Sequence, residues 1–451
     1  MRPPSRFTLA KRALTIACLA ALLPPTAAQA VQAPVVSQAQ GFADQDVSDA
    51  YLYLLGRLLV LRQQQLDFQE GMRWNELVHR KPGAVEWPNP NLDVAYSEAW
   101  LALDARSCTL VSVPKIEGRY YTVQFLNGWG ETLANINERA LPEHPYGEFA
   151  VCQKGADVAL PDGVKRIDLP VSTARVLSRV ELGADWKQAE QLQQQFTLRA
   201  TGTPVTEAIP ATPIFALPKP PGVEAFDSAE LALREPDLNP GMQALQAKVR
   251  AIAAAISDPA ARAAVDKQIK GHAYPALAKA IVTIGPGTLH NGWVRPAVSG
   301  SYGADYLTRT LVDYGGIWAN TQQEVHYFRG AALDNGELLD GSASYSMTFP
   351  ADQLPAKYAR YFWSITATDA KQFRVLPNPQ GRFLLNNQSN LSYNPDGSLT
   401  LYFGPQAPAN GAETNWLPTV AGQPFKLMFR YYGAKGLVAD GNYFPPALVK
   451  R

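Results

Sequence analysis

Two short stretches concentrate side chains able to hold or react with a small molecule. The first runs from Trp87 to Trp100 and contains Asn89, Asn91, Asp93, Tyr96, Ser97 and Glu98. Asn and Asp beside Pro88 and Pro90 can satisfy backbone N–H groups in Asx-turns. The same groups would equally orient a polar ligand, with Tyr96 and Trp100 as stacking surfaces. The second stretch runs from Arg119 to Trp129. A period of two puts Tyr120, Thr122 and Gln124 on one face and Tyr121, Val123 and Phe125 on the other. That pattern suits a strand lining a polar cleft, and it also suits an ordinary solvent-facing strand. Asp93, Tyr96 and Arg119 form the candidate catalytic set. A buried carboxylate with a raised pKa would act as general base, and Tyr or Arg as acid or electrostatic stabiliser. Asn91, Trp100, Tyr120 and Gln124 are candidate ligand contacts. Near the C-terminus, Trp363 and Trp416 stand beside Ser364 and Asn415 and join that set, with loop anchoring as the alternative.

Other chemistries lack their residues. There is no G-x-S-x-G, no H-E-x-x-H, no phosphate-binding G-x-x-x-x-G-K-[ST] and no G-x-G-x-x-G opening a helix. The five histidines are His79, His144, His272, His290 and His326, and none lies within four residues of another. A metal site would have to be assembled from distant loops. Neither a metal nor a cofactor is expected.

The elements that must carry these residues are mostly strands. Asp44 to Gln69 has leucines at helical spacing, with Gly71 as a stop. Its Gln63-Gln64-Gln65 run reads as a solvated face. From Trp87 the period becomes two, through 101–103, 109–113, 119–126, 148–153, 164–169 and 171–181. Six prolines between 199 and 222 mark a linker. Residues 225–280 are Ala-rich and helical, broken at Asp258-Pro259, and Tyr302 to Trp318 reads as another amphipathic helix. Strands resume at Glu324, and 324–329 and 344–349 are expected to be joined through Asp334-Asn335-Gly336. The fold class is mainly β with helical additions, an α+β multidomain chain. Two antiparallel β-sandwich or jelly-roll-like domains are expected, plus an Ala-rich helical section. The expected boundaries are 44–200 for the N-terminal helix and β-rich domain and 201–224 for the linker. The helical section then takes 225–322 and the C-terminal sandwich 323–451.

Residues 1–30 read as a secretory signal, followed by a flexible tail at 31–43. Arg2, Arg6, Lys11 and Arg12 precede a short apolar run from Ala13 to Leu23, and Ala28-Gln29-Ala30 is a cleavage site. Eleven apolar residues are too few to span a bilayer. The full chain of 451 residues carries +1, and losing those four cations takes it to −3. Without a basic excess, nucleic-acid binding loses its main electrostatic support. No later run is apolar enough to cross a membrane, so a periplasmic or secreted protein is expected. Cys108 and Cys152 then remain as an even pair in an oxidising compartment, which favours a disulfide.

Several ordered motifs resemble a known family pattern. Pro90-Asn91-Leu92-Asp93 with Tyr96, Ser97 and Trp100 comes first. Ser112-Val113-Pro114 and Gly118-Arg119-Tyr120-Tyr121 follow. In the C-terminal half the matching motifs are Leu339-Asp340-Gly341-Ser342, Phe362-Trp363-Ser364, Tyr393-Asn394-Pro395-Asp396-Gly397 and Asn415-Trp416-Leu417-Pro418. Together they resemble the exported two-part family whose halves are domains of unknown function twelve fifty-four and twelve fourteen. The resemblance implies two β-rich domains with helical additions and no established reaction. One departure is that Val94 and Ala95 follow Asp93, where the family places Thr directly after its Asp.

Three functions remain in view. The first is an accessory protein binding an unknown small polar or aromatic molecule. The second is a hydrolase or lyase built on Asp93, and the third is a structural or envelope-interaction protein. The oligomeric state is open.

Overall fold

The strands pair into four sheets that stack as two sandwiches. The computed structural model describes residues 41–83, 88–206, 208–409 and 411–451. The expected signal at 1–30, most of the tail at 31–43, and Trp87 lie outside them. Among the described residues there are 19 strands and 7 α-helices, so the chain is mainly β with helical additions. Residues Phe42–Arg451 form one compact unit.

In the N-terminal sandwich one sheet is ordered Val78–His79, Val94–Ala102, Thr173–Glu181, Tyr121–Leu126, Thr132–Ile136, all antiparallel. We call it the first inner sheet. Its partner is ordered Lys165–Leu169, Gly147–Gln153, Cys108–Val113, Thr197–Ala200. Val111, Phe125, Phe149 and Val176 fill the space between them. Cys108 and Cys152 face one another in this outer sheet and are joined by a disulfide.

The C-terminal sandwich repeats the plan. Its inner sheet is ordered Thr288–His290, Trp293–Arg295, Val325–Gly330, Phe425–Tyr432, Trp363–Asp369, Leu384–Asn386. Its outer sheet is ordered Trp416–Pro418, Leu399–Gly404, Tyr345–Phe349, Val449–Lys450. Phe328, Phe349, Trp363, Ile365 and Phe429 form the core between them. The expected joining of 324–329 to 344–349 does not make a hairpin. Val325–Gly330 pairs with Phe425–Tyr432, whereas Tyr345–Phe349 pairs with Leu399–Gly404 in the other sheet. The turn at Gly336 closes only a short Ala332–Leu338 bridge, because the chain crosses between sheets there.

The helices form a third core. Asp44–Gln69 opens with Asp44 and Asp46, whose charges favour a helix N-terminus. It packs on Gln243–Ala255, on the helical stretch from Pro259 to Thr283, and on Tyr306–Gly315. This opening helix therefore belongs with the Ala-rich section rather than with the N-terminal strands that follow it. Pro259 occupies the first turn of a helix capped by Asp258, so the Asp-Pro break starts a helix as well as ending one. The glutamine run is a correction. Gln63 and Gln64 are buried, with Gln63 donating to Asp67 at 2.8 Å and Gln65 to Thr212 at 2.6 Å. A helix enclosed on nearly every side has no solvated face to give them. Among the described residues no helix is long and apolar enough to cross a membrane.

Candidate functional site

Each inner sheet spends one face on its own sandwich and turns the other toward its counterpart. On the first inner sheet, Tyr96, Trp100, Tyr120 and Leu177 occupy that second face. On the other, Val325 and Tyr432 meet them. Strand alternation carries the polar residues there too. Val176 and Val180 point to the sandwich core, so Arg179 between them points away. Phe328 and Phe429 do the same for Arg329 and Arg430.

A cavity of about 90 Å³ lies among these side chains, well above the ~10–15 Å³ that one water needs. Arg179, Arg329 and Arg430 all line it, together with Tyr96, Tyr327 and Tyr432. Asn89 and Asn91 enter from the loop before the strand Val94–Ala102, and the turn Gly315–Ala319 covers another side. Ile281, Ile284, Leu311, Phe373 and Met428 supply an apolar wall.

The arginines are held by neutral acceptors. Arg179 donates to Gln124 Oε1 at 2.6 Å and to the Trp318 carbonyl at 2.9 Å. Arg430 donates to Thr366 Oγ1 at 2.5 Å and to the Asn89 carbonyl at 2.8 Å. Arg329 donates to the Ile281 and Val282 carbonyls at 2.5 and 2.7 Å. Burial pulls the Arg329 guanidinium down to about 10, still charged at neutral pH. Its Nε is buried without an acceptor, and so is Trp318 Nε1. Trp318 holds a positive φ of 58°, a costly conformation for a large side chain. Asn91 fixes the rim by donating to the Tyr432 hydroxyl at 2.6 Å while its Oδ1 accepts from the Asp93 N–H at 2.7 Å.

A second, more open cleft of about 300 Å³ lies beside the loop. Asp93, Glu181, Trp186, Phe362 and Asn386 line it. Asp93 Oδ1 accepts from Asn386 at 2.8 Å. Burial raises the Asp93 carboxyl, against the pull of Ser364, Asn386 and the Arg430 charge. Burial also raises Glu181, and the charge of Asp93 adds to that rise. Among the described residues no group of three or more His, Cys, Asp or Glu side chains could hold a metal ion.

Two family models match the chain, one for each sandwich. Residues 74–200 match the protein of unknown function DUF1254, and residues 324–436 match the protein of unknown function DUF1214. The chain belongs to this two-part family. The DUF1254 half thus supplies Arg179 and the Asn91 rim, and the DUF1214 half supplies Arg329 and Arg430. The VPA0106 protein from Vibrio parahaemolyticus is similar in fold, with a TM-score of 0.62 at 19% identity. That match covers 90% of this chain and 99% of that one. An uncharacterized protein from Burkholderia cenocepacia aligns over 88% of this chain and 86% of its own, at 13% identity and a TM-score of 0.45. No curated protein matches.

The candidate residues separate into several places. Asn91 and Tyr96 line the cavity. Gln124 supports it by accepting from Arg179. Asp93 opens on the neighbouring cleft instead. Arg119 is a strap, donating to the Glu181 and Leu182 carbonyls at 2.6 Å. Asp93, Tyr96 and Arg119 therefore do not line one pocket together. Trp100 sits behind the cavity wall, donating to Asp67 at 2.9 Å with its ring edge-on to Trp318. Tyr120 crosses between the halves to donate to Glu324 at 3.0 Å. Trp363 is in the DUF1214 core, and Trp416 donates to the Gly404 carbonyl at 2.9 Å in the outer sheet. Sequence reasoning missed Arg179, Arg329, Arg430 and Trp318. One signal was present: each arginine interrupts a strand whose alternate positions are apolar, so each had to face something other than its own core.

Proposed function

We propose that this protein is exported and binds a small molecule in the cavity between its two inner sheets. The observation that carries the reading is the lining itself. Both halves contribute polar and aromatic side chains to one cavity, and two of its lining residues, Arg329 and Trp318, each carry a buried donor, Nε and Nε1, without an acceptor. Buried donors left unmade are costly, and a ligand acceptor would relieve them. A thermal-shift screen of the mature protein against sugars, aromatic acids, nucleotides and lipids tests it. A ligand at about 100 times its dissociation constant stabilises by about 2.7 kcal/mol. Tyr96→Ala should then weaken the hit. A panel that raises the melting temperature nowhere would favour the structural reading.

Export rests on the basic, apolar and Ala-Gln-Ala segments at 2–30, and the Cys108–Cys152 bridge suits an oxidising compartment. Mass spectrometry of the mature chain should find Val31 at its N-terminus.

One observation favours a second reading as a hydrolase or lyase. Asp93 and Glu181 share a cleft, and burial raises both carboxyls. One could hold a proton while the other accepts one. Under that reading Asp93→Asn abolishes turnover of any substrate found. Turnover that survives the change removes Asp93 from the role.

A further inference from the structure

The charge balance around the cavity narrows the ligand. Arg179, Arg329 and Arg430 all line it, yet none forms an ion pair with a carboxylate among the described residues. Other buried arginines here are paired. Arg175 meets Asp67 and Glu98, Arg309 meets Asp237, and Arg57 meets Glu235; the half-buried Arg139 likewise meets Glu324. The cavity arginines donate to carbonyl, amide and hydroxyl oxygens, and Arg179 also lies over the Tyr96 ring. Asp93 is near enough to Arg430 to feel its charge, but it opens on the other cleft.

Their placement concentrates the positive charge. Tyr327 pairs with Arg430 across the two strands, and Arg329 pairs with Met428. Arg329 and Arg430 are therefore diagonal neighbours on one face, a spacing of about 7–8 Å. Arg179 comes from the opposed sheet. Like charges gathered in a space largely shut off from water need a counter-charge. Guanidinium groups meet carboxylates with charge-assisted hydrogen bonds, two at a time where geometry allows. The rest of the lining sets the body of the ligand. Ile281, Ile284, Leu311, Phe373 and Met428 present an apolar wall, and no Lys or Asp lines the cavity to greet a polar tail.

We infer that the cavity takes a small organic acid, its carboxylate facing Arg179, Arg329 and Arg430 and its apolar or aromatic body against the Ile284–Phe373 wall. This rests on the reading of the cavity as a binding site and names the ligand class for it.

Benzoate and its neutral counterpart benzamide test the inference by calorimetry on the mature full chain. Benzoate should bind roughly thirtyfold tighter or more, the low end for one desolvated charge pair. Arg329→Met should remove about tenfold or more of benzoate affinity and cost benzamide, which offers only a neutral carbonyl to the guanidinium, clearly less. A crystal soaked with 4-bromobenzoate keeps the test independent of any variant that fails to fold. The bromine signal should lie against Ile284 and Phe373, with the carboxylate toward the arginines. Benzamide binding as tightly as benzoate would overturn the acid while leaving the cavity as a site. Inorganic phosphate matching benzoate would overturn the apolar body. If neither acid nor amide binds, the inference fails, and the binding reading stands or falls on the wider panel.

Discussion

Arg329 and His326 lie on the same strand and show how alternation assigns different work to near neighbours. Arg329 faces the cavity. His326 is also buried, with Nδ1 lacking a partner. Burial, helped by the Arg295 charge, pulls its imidazole down to about 4. A depressed folded value means that the unfolded chain takes up the proton first. The stabilising contribution is full above about 6.5 and is lost as pH falls toward 4. It amounts to at most about 3 kcal/mol. His326→Gln should flatten the fall in melting temperature between pH 6.5 and 4; an unchanged slope would refute the burial argument. Asp93 runs the other way. Its raised folded value makes its contribution full at acid pH and lost as pH climbs through that value. Asp93→Asn should therefore gain on wild type in melting temperature as pH rises from about 4, where the unfolded carboxyl begins to lose its proton. The new amide would also keep Ser364 beside it as an acceptor. Asn91 and Tyr96 were legible as cavity residues because loop amides and an aromatic stood together in sequence. The arginines were not, since they lie on three separate strands and only tertiary packing brings them together.

Elements were easier to read than their pairing. A period of two identified Tyr120 and Gln124 as sharing a face, from which Tyr120 reaches Glu324 of the other half and Gln124 donates to the Ala319 carbonyl of the covering turn. Which sheet a strand joins is a long-range matter, so the turn at Gly336 misled about 344–349. The opening helix shows the same limit. Its leucine spacing reveals a helix, but not that Gly56 lets it approach Tyr306–Gly315. A Cβ at Gly56 would come within 2.5 Å of Thr310 Oγ1, whose hydroxyl bonds the Leu52 carbonyl at 2.9 Å. Gly56→Val should cost about 1–3 kcal/mol, measured by denaturant unfolding, as overpacking outweighs any gain in helix propensity. The disulfide ties neighbouring strands across 44 residues. In the chain-entropy model that is about 4 kcal/mol. The double Cys108→Ala and Cys152→Ala change should lose about 2–4 kcal/mol, and labelling of the unfolded, unreduced wild type should find no free thiol.

At the scale of the molecule, the two halves need each other more than their separate family models suggest. Each inner sheet carries large aromatics on the face turned outward from its own sandwich, and Tyr96, Trp100, Tyr120 and Tyr432 are all buried. Arg139 and Tyr120 of the first half both bond Glu324 of the second, at 2.6 and 3.0 Å. The opening helix packs with Tyr306–Gly315, although some 240 residues lie between them in the chain. Separating the halves would expose an apolar face far larger than soluble monomers tolerate. The connection itself is thin: the described residues of 201–222 hold no regular element, and Val205 is 66% exposed. A protease site placed at Gly202–Val205 should therefore be cut without dissociation. The two fragments should elute together at the mass of the intact chain and melt in one transition. Fragments that separate under native conditions would show that the cavity between the sheets is a loose contact, and a ligand held there would then have to bridge two independently folded bodies.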